Sequence, residues 1–511
     1  MALTPATLPP ERAWVPLPPQ DWNSANARHL LRRMGFAATP DQVSHSVYIG
    51  LPATLQEAYG QIRPMPPSPS LINYVAERDS VELAIRQANT AATAATGDQP
   101  QNIKMLRMEV DRLRRQAFTD CLMESMAFAR KPENSAQENL VMFLSNVLVV
   151  ASNKVQDPAR LLAHTALLRA NWQQPYPYLC KLATYSPALV QYLDLNTSRS
   201  GVPNENYARE LMELFTLGEG NYTETDVKES ARALTGAVLP PAINPNGDQT
   251  YFQRNRWDAG NKTIFGQTGP LGAYDVVDLI FTQPGARTLL PKRFLAWYLS
   301  DDPLPAPYLK TLGDLWFEKS WRIDELAKIV LSSKLFYDPQ FHGALIKSPM
   351  RYYLGLCQDL DLDVSPFEGQ VFQNLRAMGQ EPFNPPNVRG WVGGKNWINS
   401  STLAARRQLV QQMFAPLDEA RLNADQKVML SNAKAAGHGQ VNVTPARIQN
   451  VVALSNPELA DHFLSYFLPG EPNAVYRAAM IDYLQNSVGQ RTELVRESVV
   501  ALLQSHLYNL S

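Results

Sequence analysis

Residues 203–227 read PNENYARELMELFTLGEGNYTETDV, and their pattern sets both the fold class and the first candidate site. Leu211, Leu214, Phe215 and Leu217 recur at spacings of three, one and two, so together they cover one apolar helical face that must turn to a core. Pro203 suits a helix start, where the amide it lacks would be unpaired in any case. Gly218 and Gly220 supply the stop. A second start follows, with Thr223 as N-cap and Asp226 where a carboxylate favours the helix dipole. Asn204, Glu205, Asn206, Arg209, Glu210 and Glu213 gather at the first start, and such a set of carboxylates, amides and one guanidinium can build a site or brace a fold.

Outward from this stretch, helical periodicity recurs along most of the chain and predicts an all-α protein of roughly 18–20 helices. The helix over 22–36 takes Ser24 as its cap, and 39–61 reads as one helix. Ala/Thr-rich Asn89–Gln101 reads as a flexible break between two long helices. The exception to helix is 237–267, where Asn244-Pro-Asn-Gly247 is a turn signal and Thr250–Arg254 has strand character; a small β-hairpin insertion is expected there. The domain reading is a Pro-rich arm over 1–21, a helical core over 22–410 carrying the insertion, and a helical region over 411–511 packed on that core.

With 511 residues, 45% of them hydrophobic, the chain can bury a large interior. Its net charge of −1 argues against nucleic acid as a partner, and the basic run Arg112–Arg115 reads as a solvated helix face. No apolar stretch is long enough to span a bilayer, so no membrane partner is expected. The start lacks the pattern of a signal peptide, which favours a cytoplasmic location; a trimmed export signal would leave the same sequence. Cys121, Cys180 and Cys357 are too scattered for a disulfide framework or a zinc cluster and read as core residues.

The seven histidines form no zinc-ligand spacing, so neither metal nor other cofactor is expected, and His29 reads as a packing residue. At 204–213 the alternatives are an ion-pair network that orients the helix and paired carboxylates with Arg209 for acid–base work or a hard cation. Asp194 and Asp258 are loop carboxylates that could join the same cleft. A second candidate is Pro382–Trp391, continuing to Ser400, where Asn387, Arg389, Trp391 and Trp397 set aromatic faces beside amides and cations. That chemistry suits a sugar or a peptide. The competing reading has the tryptophans plugging a groove while Asn399 or Ser400 caps the next helix.

These motifs, with Ala27–Arg33, Tyr192–Asp194, Ala231–Gly236, Ile346–Pro349 and Met378–Gln380, resemble a bacterial family known only as domain of unknown function 1800, over about residues 22–410. The resemblance implies a mostly helical protein, often encoded beside a secreted sulfatase-like partner, with no established reaction. Members typically carry a Trp-His-x-His-Phe run and a His-Asp-x-Gly-x-Lys element. Here Ser145, Val147 and Trp257 stand at the three histidine positions. Imidazoles suit transition metals, so a family metal site would be lost in this chain. The expectation is a binding or accessory protein without a metal, its cleft taking a sugar, peptide or protein. The alternatives are an enzyme using Glu205 or Glu210 as base with Arg209, and a purely structural protein.

Overall fold

The computed structural model describes residues 8–92, 101–239, 249–443, 451–470 and 473–511. It is 64% helical, with 23 helices and two small two-stranded antiparallel sheets among these residues. The expected all-α class with a small β insertion holds. Proline, which would break a helix interior, opens several of the helices: Pro40, Pro132, Pro158, Pro187 and Pro349 all lie in first turns.

Local differences from the sequence reading have simple causes. The span 39–61 is two helices, Pro40–Ile49 and Leu51–Tyr59, because Gly50 takes φ 82. Asn23, not Ser24, caps Ser24–Met34, its side chain accepting from the amides of Ala25 and Asn26. The β insertion is two ladders, Ala237–Val238 with Tyr251–Phe252 and Lys262–Ile264 with Gln267–Gly269. The predicted turn at Asn244–Gly247 lies outside the described residues, as does most of the Ala/Thr-rich break. Beside that break, Pro69–Ala92 and Gln101–Arg130 pack on each other through Ile85, Ile103, Tyr74 and Leu113. On the second of these helices Arg112 pairs with Glu109 and Arg114 with Asp111, as a solvated face does. No helix among the described residues is long and apolar enough to cross a membrane. The three cysteines are buried and free.

The buried apolar residues form two main clusters. One runs from Ala13 to Phe341 and includes Phe143, Trp172, Leu211 and Trp316; the other joins Phe36, Leu122 and Tyr352 to the helices beyond Asn456. Buried arginines stitch them together. Arg33 donates to the carbonyls of Tyr298 (3.1 Å), Leu299 (2.8 Å) and Phe341, and Arg32 to those of Tyr466 and Phe467 (2.7 Å). Arg351 reaches the carbonyls of Arg32 and Arg33, both at 3.1 Å. Several of these acceptors are helix-end carbonyls without intrahelical donors, which the planar guanidinium fork suits. His29 is buried, bonds the Phe336 carbonyl at 3.0 Å and stacks on His342, as a packing histidine does.

Lys347 stands apart in this layer. Its ammonium is buried, has no hydrogen-bond partner among the described residues and lies 3.8 Å from the centre of the Tyr508 ring. Burial, and then the charge of Arg32, push it down to about 7. The unfolded chain keeps that proton to about pH 10.4. Because the unfolded state therefore binds more protons across this window, stability should rise with pH between the folded and unfolded values. Lys347→Met should remove the rise. In urea melts the variant should exceed the parent by about 1–3 kcal/mol near pH 6, the gap closing toward about pH 10; a gap indifferent to pH would contradict the assignment.

Candidate functional site

The 203–227 stretch builds two different ends of one helix. Its first half ties the fold together. The amide of Asn204 donates to the Ser198 hydroxyl at 3.0 Å, and its side chain accepts from the amide of Asn206 at 3.0 Å and donates to Thr197 at 3.1 Å. Asn206 reaches back to the Leu193 carbonyl at 3.3 Å. The helix proper begins at Asn206, not at Pro203. Arg209 is held by both oxygens of Glu224, at 2.7 and 2.8 Å, with Glu205 at 3.3 Å. Asp194 pairs with Lys154 at 2.6 Å. Thr223 and Asp226 form the expected reciprocal cap.

The second half faces a cleft. Leu211–Thr216 widens into a π-helical turn, a feature that often accompanies sites. Glu213, in that turn, accepts from the Tyr222 hydroxyl at 3.1 Å and from Arg389 at 2.9 Å; Arg389 also binds Glu219 at 2.9 Å. Glu213, Glu219 and Arg389 line a cleft of about 1010 Å³ together with Trp297, Asp301, Lys292, Trp391 and Trp397. The rings of Trp391 and Trp397 lie 5.5 Å apart, tilted by 36°.

The loop carrying the tryptophans is fixed from below. The Asn146 side chain accepts from the Trp391 amide at 2.7 Å and donates to the Trp391 carbonyl at 3.1 Å. Gly390 makes this approach feasible: it takes φ 78, and a Cβ there would lie 2.5 Å from the Asn146 side-chain oxygen. Arg293, largely buried, donates to the carbonyls of Asn146 (2.6 Å), Leu214 (3.0 Å) and Arg389 (3.2 Å), joining helix, π-turn and loop at one guanidinium.

Electrostatics separate the carboxylates. Burial, with the charge of Glu213, raises the Glu210 carboxyl, and burial raises that of Asp301. The Arg232 guanidinium, at 2.8 Å, holds Asp258 below its ordinary range.

Over residues 29–510 the sequence matches one family model, described as protein of unknown function (DUF1800). The chain belongs to this family. No curated protein and no solved structure matches it.

In this DUF1800 member the cleft gathers Glu213, Arg389, Trp391 and Trp397 from the residues singled out by sequence. Asn204, Glu205, Asn206, Arg209, Asp194 and Asp258 do not line it, and neither does Glu210. Asn387 shapes the loop by accepting from the Arg389 amide at 2.9 Å, while Asn399 caps the following helix. The sequence reading missed Asn146, Lys292 and Arg293, which stand in helices, and Asp301, in the loop that follows Leu289–Tyr298. Of the three positions at which the family resemblance led histidine to be expected, Ser145 lines a small chamber beside the cleft, Val147 is in the core and Trp257 packs against Lys262, 4.5 Å from its ring centre. Among the described residues no three His, Cys, Asp or Glu side chains gather as a metal would require.

Two substitutions test the loop's attachment. Asn146→Ala removes both bonds to the Trp391 backbone and should cost about 1–3 kcal/mol in urea unfolding. Gly390→Ala combines a strained φ with a clash and should cost at least as much. A loss below about 0.5 kcal/mol for both would show that the loop is held elsewhere.

Proposed function

We propose that this protein binds a carbohydrate chain in the cleft, without a metal or other cofactor, as an accessory to an enzyme acting on the same polymer. A sulfatase-like enzyme is the partner that the family resemblance favours. One observation carries the reading: Trp391, half-buried and backed by the buried ring of Trp397, stands in the wall of an open cleft of about 1010 Å³, beside the Glu213–Arg389–Glu219 array. Sugar rings offer C–H faces to aromatic planes and hydroxyls to charged and amide groups. Lys292, exposed at the cleft and without an ion-pair partner among the described residues, adds a donor. A peptide is the competing occupant of the same groove.

A second reading, acid–base chemistry by Glu210 with Glu205 and Arg209, is favoured by the raised Glu210 carboxyl. Against it, the Arg209 fork is already filled by Glu224.

The test is a screen of oligosaccharide and peptide arrays, followed by calorimetry on the best ligand. Trp391→Ala should weaken oligosaccharide binding at least about tenfold, roughly 1.4 kcal/mol, and Arg389→Ala should weaken it less. Glu205→Gln should leave affinity within about twofold. Capture of peptides alone, or indifference to Trp391→Ala, would defeat the carbohydrate reading. Product release that Glu210→Gln abolishes would establish the second.

A further inference from the structure

Beside the cleft lies a second, smaller chamber of about 150 Å³. Asn146, Trp297, Ser348, Gln380 and Trp391 line both spaces, so the chamber adjoins the cleft wall that carries Trp391. Its body is apolar, built by Leu122, Met126, Val141, Met142, Met350 and Phe383. Cavities of this size hold a molecule of about six non-hydrogen atoms, such as benzene.

The polar groups on its wall are mostly spent. Both Glu138 oxygens are taken by Arg169, at 2.7 and 2.8 Å. Both His164 nitrogens are engaged at 2.9 Å, one by the Ser186 hydroxyl and one by the Leu148 carbonyl. Thr165 donates to the Leu161 carbonyl, and the Gln380 carbonyl oxygen accepts from the Met350 amide at 2.9 Å. Three groups have no partner among the described residues: the Ser145 hydroxyl, the Gln380 amide nitrogen and the remaining terminal nitrogen of Arg169. All three can donate a hydrogen bond, and the nitrogens can only donate.

An apolar pocket whose unspent polar groups are donors fits a group with an apolar body and one acceptor oxygen. We propose that the chamber is an acyl subsite, taking the short N- or O-acyl substituent of a sugar whose ring lies on Trp391. This deepens the carbohydrate reading of the cleft and rests on it.

Two measurements on the full chain keep the two ideas apart. Cyclohexanone, an apolar body with one carbonyl, probes the chamber alone by saturation-transfer NMR. It should bind the parent, and Ser145→Leu, which fills the space, should abolish the signal. Met142→Phe serves as a second filling variant should Ser145→Leu fail to fold. No cyclohexanone binding, or binding unchanged in a folded filling variant, would overturn the subsite.

The second measurement is calorimetry with one oligosaccharide prepared with free amines, N-acetyl groups and N-butyryl groups. The acylated forms should bind at least about tenfold more tightly, a preference that Ser145→Leu should erase while binding of the unacylated form persists. Equal affinity across the series would overturn the proposal. If none of the three binds, the carbohydrate reading falls and the acyl-sugar assignment with it, while the cyclohexanone result still judges whether the chamber takes a carbonyl-bearing group.

Discussion

Guanidinium groups buried between two apolar clusters hold this protein together. Arg32, Arg33 and Arg351 each place a planar fork of donors against carbonyls at helix ends and turns, and Arg406 does the same for the Lys347 carbonyl at 2.8 Å. A helix end packed in the interior leaves carbonyls that neither water nor the helix can satisfy. One arginine serves two or three of them at once. The penalty is buried positive charge, and desolvation accordingly lowers Arg33, Arg351 and Arg406, the last to about 10. Each remains a cation at neutral pH, because arginine begins from so high a value. Lysine does not share that margin, and burial brings Lys347 down to about 7.

The same device recurs at the cleft on a smaller scale. Arg293 joins the carbonyls of Asn146, Leu214 and Arg389, so one side chain sets the relative positions of a core helix, the π-turn and the tryptophan loop. The cleft is therefore an outgrowth of the interior packing and not a surface addition. Its wall positions follow from backbone acceptors deep in the fold.

Helical class was legible in sequence, as were the cap and the stops around 217–226, because they depend on near neighbours. Thr223 with Asp226 and the glycines after Leu217 act within one turn, and periodicity records which face is buried. The candidate site was legible only in part. PNENYAREL is dense in charge, yet its partners are Ser198, Thr197, Leu193 and Glu224, found only after the chain folds back. Arg293 and Asn146 sit in ordinary helices and acquire their roles from contacts 96 and 245 residues away. A local pattern can announce that charges are gathered, but which of them face open space depends on those distant contacts.

The bond pair between Asn146 and the Trp391 backbone has a consequence for recognition. A loop held by its main chain to a core helix does not have to be ordered when a ligand arrives. The aromatic platform is preorganised, so association avoids the entropy that a mobile binding loop would surrender, and discrimination between ligands falls on contact chemistry and not on closure.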